Sequence, residues 1–164
     1  MKTTNLSSYF LNNGCKILAG KNKSFISLNR KKIIYLFEKF GCILFRGFNF
    51  EPSNYKKFTN LFTSVYANDT NNFTRRNRTS FDKDIRYVDI GHKAMNLHSE
   101  ASFSPSWPEI IWFYCVDPSK KHGETTICDG ISLWSMLSQK TKNFFLSNPI
   151  KYDLKIPVIK KKQK

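Results

Sequence analysis

Residues 97–130 read LHSEASFSPSWPEIIWFYCVDPSKKHGETTICDG. A histidine and a glutamate two apart, His98 and Glu100, stand ahead of the seven-residue apolar run 110–116, and the turn Gly123-Glu124-Thr125 follows. Side chains at i and i+2 of an extended strand share a face, so a strand here presents an imidazole and a carboxylate side by side. Asn96, two residues earlier, falls on the same face. Neutral imidazole and carboxylate are donors that Fe(II) accepts, and two histidines with one carboxylate on one face of an octahedron leave positions open for a cosubstrate and oxygen. His98 and Glu100 are two of those three ligands in type. A His-x-Glu tripeptide alone carries little weight, because such pairs recur as surface or hydrogen-bonded groups.

Outward from this stretch, strand-like pieces come in quick succession at 86–90, 94–100, 109–116 and 124–129, separated by Gly, Pro and Lys-rich turns. That spacing predicts an antiparallel sheet or barrel. A helix from Gly130 to Gln139 and a last strand from Ile150 to Ile156 are expected beyond it. Upstream, Asn29 precedes RKKIIYLFEKF, in which Ile33, Leu36, Phe37 and Phe40 recur at helical spacing. Asn is a good N-cap and Gly41 a good stop, so the pattern predicts a helix over 30–40. The apolar CILFRGF, between Gly41 and Gly47, suits a buried strand that delivers Arg46 to its end. Pro52 and Ser53 open a second helix, with Tyr55, Phe58, Leu61, Phe62 and Val65 on its apolar face and Lys56, Lys57 and Asn60 opposite. A short strand is expected at Cys15–Ala19.

Residues 67–84 have almost no apolar periodicity and are rich in Asn, Asp, Thr and Arg, which marks a long loop. Loops of that length in compact domains are commonly functional or mobile. Arg75, Arg76, Arg78 and Arg86 are placed to meet an anionic substrate, the bland reading being a solvated loop.

The chain has 164 residues, 40% of them hydrophobic, with 15 Phe, 7 Tyr and 3 Trp, which is one globular domain and too apolar for a disordered segment. Its net charge of +15 raises nucleic acid as a partner, but the basic residues are spread from Lys2 to Lys164 without clustering, so nucleic-acid binding is not expected. The lysine run at 160–164 reads as a solvated tail. Cys15, Cys42, Cys115 and Cys128 show no C-x-x-C spacing for zinc or redox pairing, and buried reduced thiols are expected. With neither a signal-peptide core nor an apolar run of membrane-spanning length, the expected location is cytoplasmic, with no membrane association.

Taken whole, the stretch 97–130 resembles the conserved segment of the taurine dioxygenase (TauD/TfdA-like) family of Fe(II)/2-oxoglutarate-dependent oxygenases, in the branch that uses His-x-Glu. The order of motifs is the family's: ligand pair, Pro108, the aromatic strand Trp112 to Cys115, Pro118, the turn Gly123 to Thr125, and a helix led by Asp129. GCILFRGF resembles the family's first core strand, so the likeness runs from about Gly41 to Tyr152. The resemblance implies an α+β chain with a double-stranded β-helix (jelly roll, clavaminate synthase-like) and flanking helices. It divides the chain into an N-terminal segment (1–28), a partial oxygenase domain (29–156) and a basic tail (157–164).

The resemblance further implies Fe(II) as metal, 2-oxoglutarate as cosubstrate, His98 and Glu100 as metal ligands, and Thr125 as the hydroxyl on the 2-oxoglutarate carboxylate. Asn96, Arg75 and Arg86 become candidates for substrate contact. His122 takes the first position of the family's Gly-Gly pair and reads as a turn residue, and His92 as a loop residue. The carboxylate at Glu100 points to hydroxylation or desaturation rather than halogenation, on a small molecule such as an amino acid or a derivative. The family's second His ligand and its 2-oxoglutarate-binding Arg lie on late strands, whereas no His follows His122 and no Arg follows Arg86. The expectation is a chain truncated mid-barrel and inactive alone, completed by a separately encoded C-terminal half or self-associating, or else a non-catalytic remnant that acts as an interaction protein.

Overall fold

The computed structural model describes residues 2–5, 14–66, 82, 84–88, 94–103 and 107–153. Its body is a three-stranded sheet with one helix packed on it. Strand β1 (Lys2–Asn5) pairs antiparallel with β2 (Cys15–Ser24), and β2 pairs parallel with β3 (Ile43–Asn49), in the order β1-β2-β3. Parallel neighbours need a crossover, which here contains helix α1 (Arg30–Phe40). The expected strand at Cys15–Ala19 is the first half of β2.

Helix α1 has the predicted bounds because both of its ends are chemically marked. The Asn29 side chain accepts from the Lys32 amide, and Gly41 adopts φ 70° with its amide on the Phe37 carbonyl at 2.7 Å. These contacts satisfy backbone groups that a helix end leaves without partners. Ile33 and Leu36 face inward and join Ile17, Phe25, Leu28 and Phe58 in the core. The register of β2 on β3 shifts between Leu18 and Lys23, opposite Gly47 at φ 74°. A Cβ on Gly47 would stand 3.2 Å from the Ala19 oxygen, so glycine serves both the backbone turn and the close approach of the two strands.

After β3, a 3-10 turn at Pro52–Asn54 leads into α2 (Tyr55–Thr59), which is shorter than predicted. The chain turns at 60–62, where the Phe62 amide bonds the Thr59 carbonyl, and Val65, expected on the apolar face, is exposed. Phe58 sits at the centre of the aromatic packing. Its ring meets Phe25, Phe45, Phe50, Phe62 and Trp112 at centroid distances of 5.2–5.7 Å, four of these at interplanar angles of 80–87°. Edge-to-face pairs of this kind each contribute on the order of 0.5–1.5 kcal/mol beyond area burial.

Trp112 and Tyr114 attach residues 110–116 to this body. Tyr114 meets Phe50 and stacks on Tyr55, and its hydroxyl donates to the Phe50 carbonyl at 3.1 Å. Ile111, Phe113 and Cys115 alternate with them and are exposed. Burial along 111–115 therefore alternates with a period of two, as on a strand, but the ladder is not present. Among the described residues, 86–88, 94–100, 109–116 and 124–129 form no strands, apart from one isolated bridge at Arg86. The predicted antiparallel sheet is thus not seen there.

The helix predicted over 130–139 is shorter, α3 (Gly130–Met136), capped by Asp129, and a further helix that was not predicted follows, α4 (Gln139–Ser147), capped by Ser138. Ser138 stops one helix and starts the next because its hydroxyl accepts from the Thr141 amide while its own backbone stays extended. Residues 150–153, the described part of the last predicted strand, are not in a strand. Cys115 and Cys128 are exposed and Cys42 half-buried, correcting the expectation of buried thiols.

Candidate metal centre

His98 and Glu100 come together through a turn, not along a strand. Residues 100–103 turn, with the Ser102 amide 3.4 Å from the Ser99 carbonyl, and Ala101 adopts φ 53°. That left-handed conformation costs a residue with a Cβ roughly 1–2 kcal/mol. The turn brings His98 Nε2 to 4.0 Å from Glu100 Oε2.

The other ring nitrogen fixes the tautomer. His98 Nδ1 lies 2.8 Å from the main-chain oxygen of Asn96, which can only accept, so Nδ1 carries the proton and donates. In the neutral ring Nε2 then holds the lone pair and faces the carboxylate. A backbone carbonyl on the distal nitrogen is the common means by which proteins orient a metal-binding imidazole. Sequence reasoning placed the Asn96 side chain at the site; the structure uses its main chain, a role that residue type does not signal.

This pair meets the chemical requirement for two positions of an iron site: a neutral nitrogen and a carboxylate oxygen, adjacent and reachable, with side chains 49% and 29% exposed. Among the described residues no group of three or more His, Cys, Asp or Glu gathers to hold a metal. The third ligand of a facial triad is therefore not met there.

The other predicted residues are more dispersed. Thr125 is exposed. Arg86 is half-buried. Arg75 and His92 lie outside the described residues. His122 is exposed with φ 61°, next to Gly123 at φ 81°, so it occupies a conformation that favours glycine, in keeping with its reading as a turn residue. Gly123 is also tightly placed, since a Cβ there would stand 3.0 Å from Ser119 Cβ.

One charged cluster escaped the sequence reading. Lys56, assigned to a solvent face, hydrogen-bonds Asp84, lies 3.7 Å from Asp82 and sits 3.5 Å from the Tyr66 ring centroid. Its partners are far along the chain, so helical periodicity could not reveal them.

A profile of the family described as Taurine catabolism dioxygenase TauD, TfdA family matches residues 19–153. The chain belongs to the TauD/TfdA family. Membership implies an Fe(II)/2-oxoglutarate dioxygenase enzyme and, as its fold, the double-stranded β-helix. The TauD match begins within β2, upstream of the likeness read from Gly41, and takes in His98, Glu100 and Thr125. No curated protein and no solved structure matches the chain. Among the described residues, no helix is long and apolar enough to cross a membrane.

Proposed function

We propose that this TauD-family chain is the ligand-pair portion of an Fe(II)/2-oxoglutarate-dependent hydroxylase acting on a small molecule, with His98 and Glu100 as two iron ligands. The observation that carries this reading is the facing of His98 Nε2 and Glu100 Oε2 across 4.0 Å, inside the region that matches the family. Iron, 2-oxoglutarate and oxygen supply an oxidative decarboxylation coupled to substrate hydroxylation. The chain's own contribution is binding and orientation. His98 offers Nε2 because Asn96 holds Nδ1–H, and Glu100 offers a carboxylate oxygen from the neighbouring turn.

Thr125 is proposed to donate its hydroxyl to a 2-oxoglutarate carboxylate, and Asn96, Arg75 and Arg86 to contact the substrate. Arginines suit a carboxylate-bearing substrate such as an amino acid or its derivative, because a guanidinium binds a carboxylate through two parallel hydrogen bonds. A second His ligand and an Arg for the far carboxylate of 2-oxoglutarate would complete such a site.

Conversion of 2-oxoglutarate to succinate tests the reading. The account predicts Fe(II)-dependent succinate when the residues that complete the site, a second His and an Arg, are present, abolished by His98→Ala. No succinate with the completed site overturns it in favour of a non-catalytic interaction protein. That second reading draws support from the apolar side chains left exposed on 111–152, among them Phe113, Ile131 and Leu146.

A further inference from the structure

Tyr66 and Asp82 are the described residues that border segment 67–81, and both meet one side chain. The Lys56 ammonium lies over the Tyr66 ring, 3.5 Å from its centroid, hydrogen-bonds Asp84 and stands 3.7 Å from Asp82. Lys56 itself is anchored in α2, whose neighbouring residues Phe58 and Thr59 are buried. The Tyr66 hydroxyl reaches back to the same helical turn, meeting Thr59 Oγ1 at 2.6 Å and donating to Asn60 Oδ1 at 2.6 Å. Asp82 accepts from the Asp84 amide at 2.8 Å, which holds the two carboxylates in one local turn.

We propose that Lys56 is a positioning residue that couples Tyr66 to Asp82 and Asp84, a clamp with the phenol ring on one side and the two carboxylates on the other.

The chemistry supports a three-centre clamp over two independent contacts. A lysine ammonium has three donors and no acceptor, so it can serve the carboxylates while its charge rests on the face of the phenol ring. The Lys56, Asp82 and Asp84 side chains are only 21–26% exposed, so water screens the attraction less than it does at an open surface pair. The neighbouring carboxylates hold the ammonium in its charged form against the opposing effect of burial. Because the clamp is ionic on one side and cation–π on the other, loss of either side is expected to loosen both.

Hydrogen exchange of the full chain tests this coupling. In Asp84→Asn, which keeps the shape and removes the charge, amides at 63–66 on the far side of the segment should exchange faster by about tenfold. Tyr66→Leu should accelerate amides at 84–88 likewise, and Lys56→Met should accelerate both sets, with α1 and β3 unchanged in each. Lys56→Arg, which keeps the charge, should restore protection at both ends. A merely local role predicts that Asp84→Asn changes only 82–88 and that Tyr66→Leu changes only 60–66, and either result overturns the clamp. Loss of protection in α1 and β3 as well would mean general unfolding and would overturn the proposal too.

Discussion

Phe58 of α2 and Trp112 of the extended segment 110–116 meet edge to face, with ring centroids 5.6 Å apart and planes at 86°. This contact joins the sheet-and-helix body to the half of the chain that follows the candidate ligands. Phe58 is 7% exposed and touches four further aromatic rings. Phe58→Ala should therefore lower stability by about 3–5 kcal/mol, the usual range for an emptied aromatic site, as read from urea unfolding. Trp112 fluorescence should shift to the red in the folded variant. A loss below about 1 kcal/mol would show that the cluster does not carry the core.

His122 holds φ 61°, where a side chain is strained and glycine is not. His122→Gly is expected to raise stability, by up to about 1 kcal/mol once the greater freedom of glycine in the unfolded chain is set against the relief. Thermal unfolding reads this directly. Metal affinity should be unchanged, since the proposed ligand pair, His98 and Glu100, does not include His122.

Two neighbours on α2 give the fold an alkaline limit. Burial, with a smaller contribution from Tyr66, raises the Tyr55 phenol well above its ordinary 10.0. The unfolded chain thus releases this proton first, so stabilisation is intact below about pH 10 and is lost as the pH rises beyond it. Lys56 acts in the same direction: burial pulls its value down, but the hydrogen bond to Asp84 and the charges of Asp82 and Asp84 outweigh that and leave it above the ordinary 10.5. Its contribution is likewise complete below the unfolded value and lost above it. Tyr55→Phe should keep the stacking on Tyr114 and give a shallower fall in stability above pH 10, measured by urea unfolding across a pH series. An unchanged slope would contradict the assignment.

The N-cap of α1 gives a simpler expectation. The Asn29 side chain accepts from the Lys32 amide at 3.0 Å, and Asn29→Ala removes that acceptor. A loss of about 1 kcal/mol is expected, with Asn29→Ser restoring most of it. Equal stability of all three proteins would mean that water replaces the cap at no cost.

What the sequence disclosed follows the range of the forces involved. Helix α1 was legible to the residue because Asn29 and Gly41 act on their own neighbours. Strand β3 was legible within a residue or two from its bracketing glycines and apolar run, although it is half-buried rather than buried and Arg46 sits at its middle, not its end. The alternation of Trp112 and Tyr114 inward with Ile111 and Phe113 outward was not legible, because 110–116 is apolar throughout, and strand pairing depends on partners that local pattern does not name. The juxtaposition of His98 and Glu100 was anticipated, although the turn at Ala101 replaces the extended backbone from which it was argued. The Lys56 cluster was illegible because its members, Tyr66, Asp82 and Asp84, are joined only by the tertiary fold.

The most direct test of the metal assignment is calorimetric titration of Fe(II), under anaerobic conditions with 2-oxoglutarate present, into the wild-type chain and into His98→Ala, Glu100→Ala and His122→Ala. The assignment predicts that His98→Ala and Glu100→Ala each weaken binding by at least roughly the 10–100-fold seen when only an outer-shell partner of a metal is lost. His122→Ala should bind as the wild type does. Wild-type affinity in both His98→Ala and Glu100→Ala would contradict the reading of this pair as iron ligands.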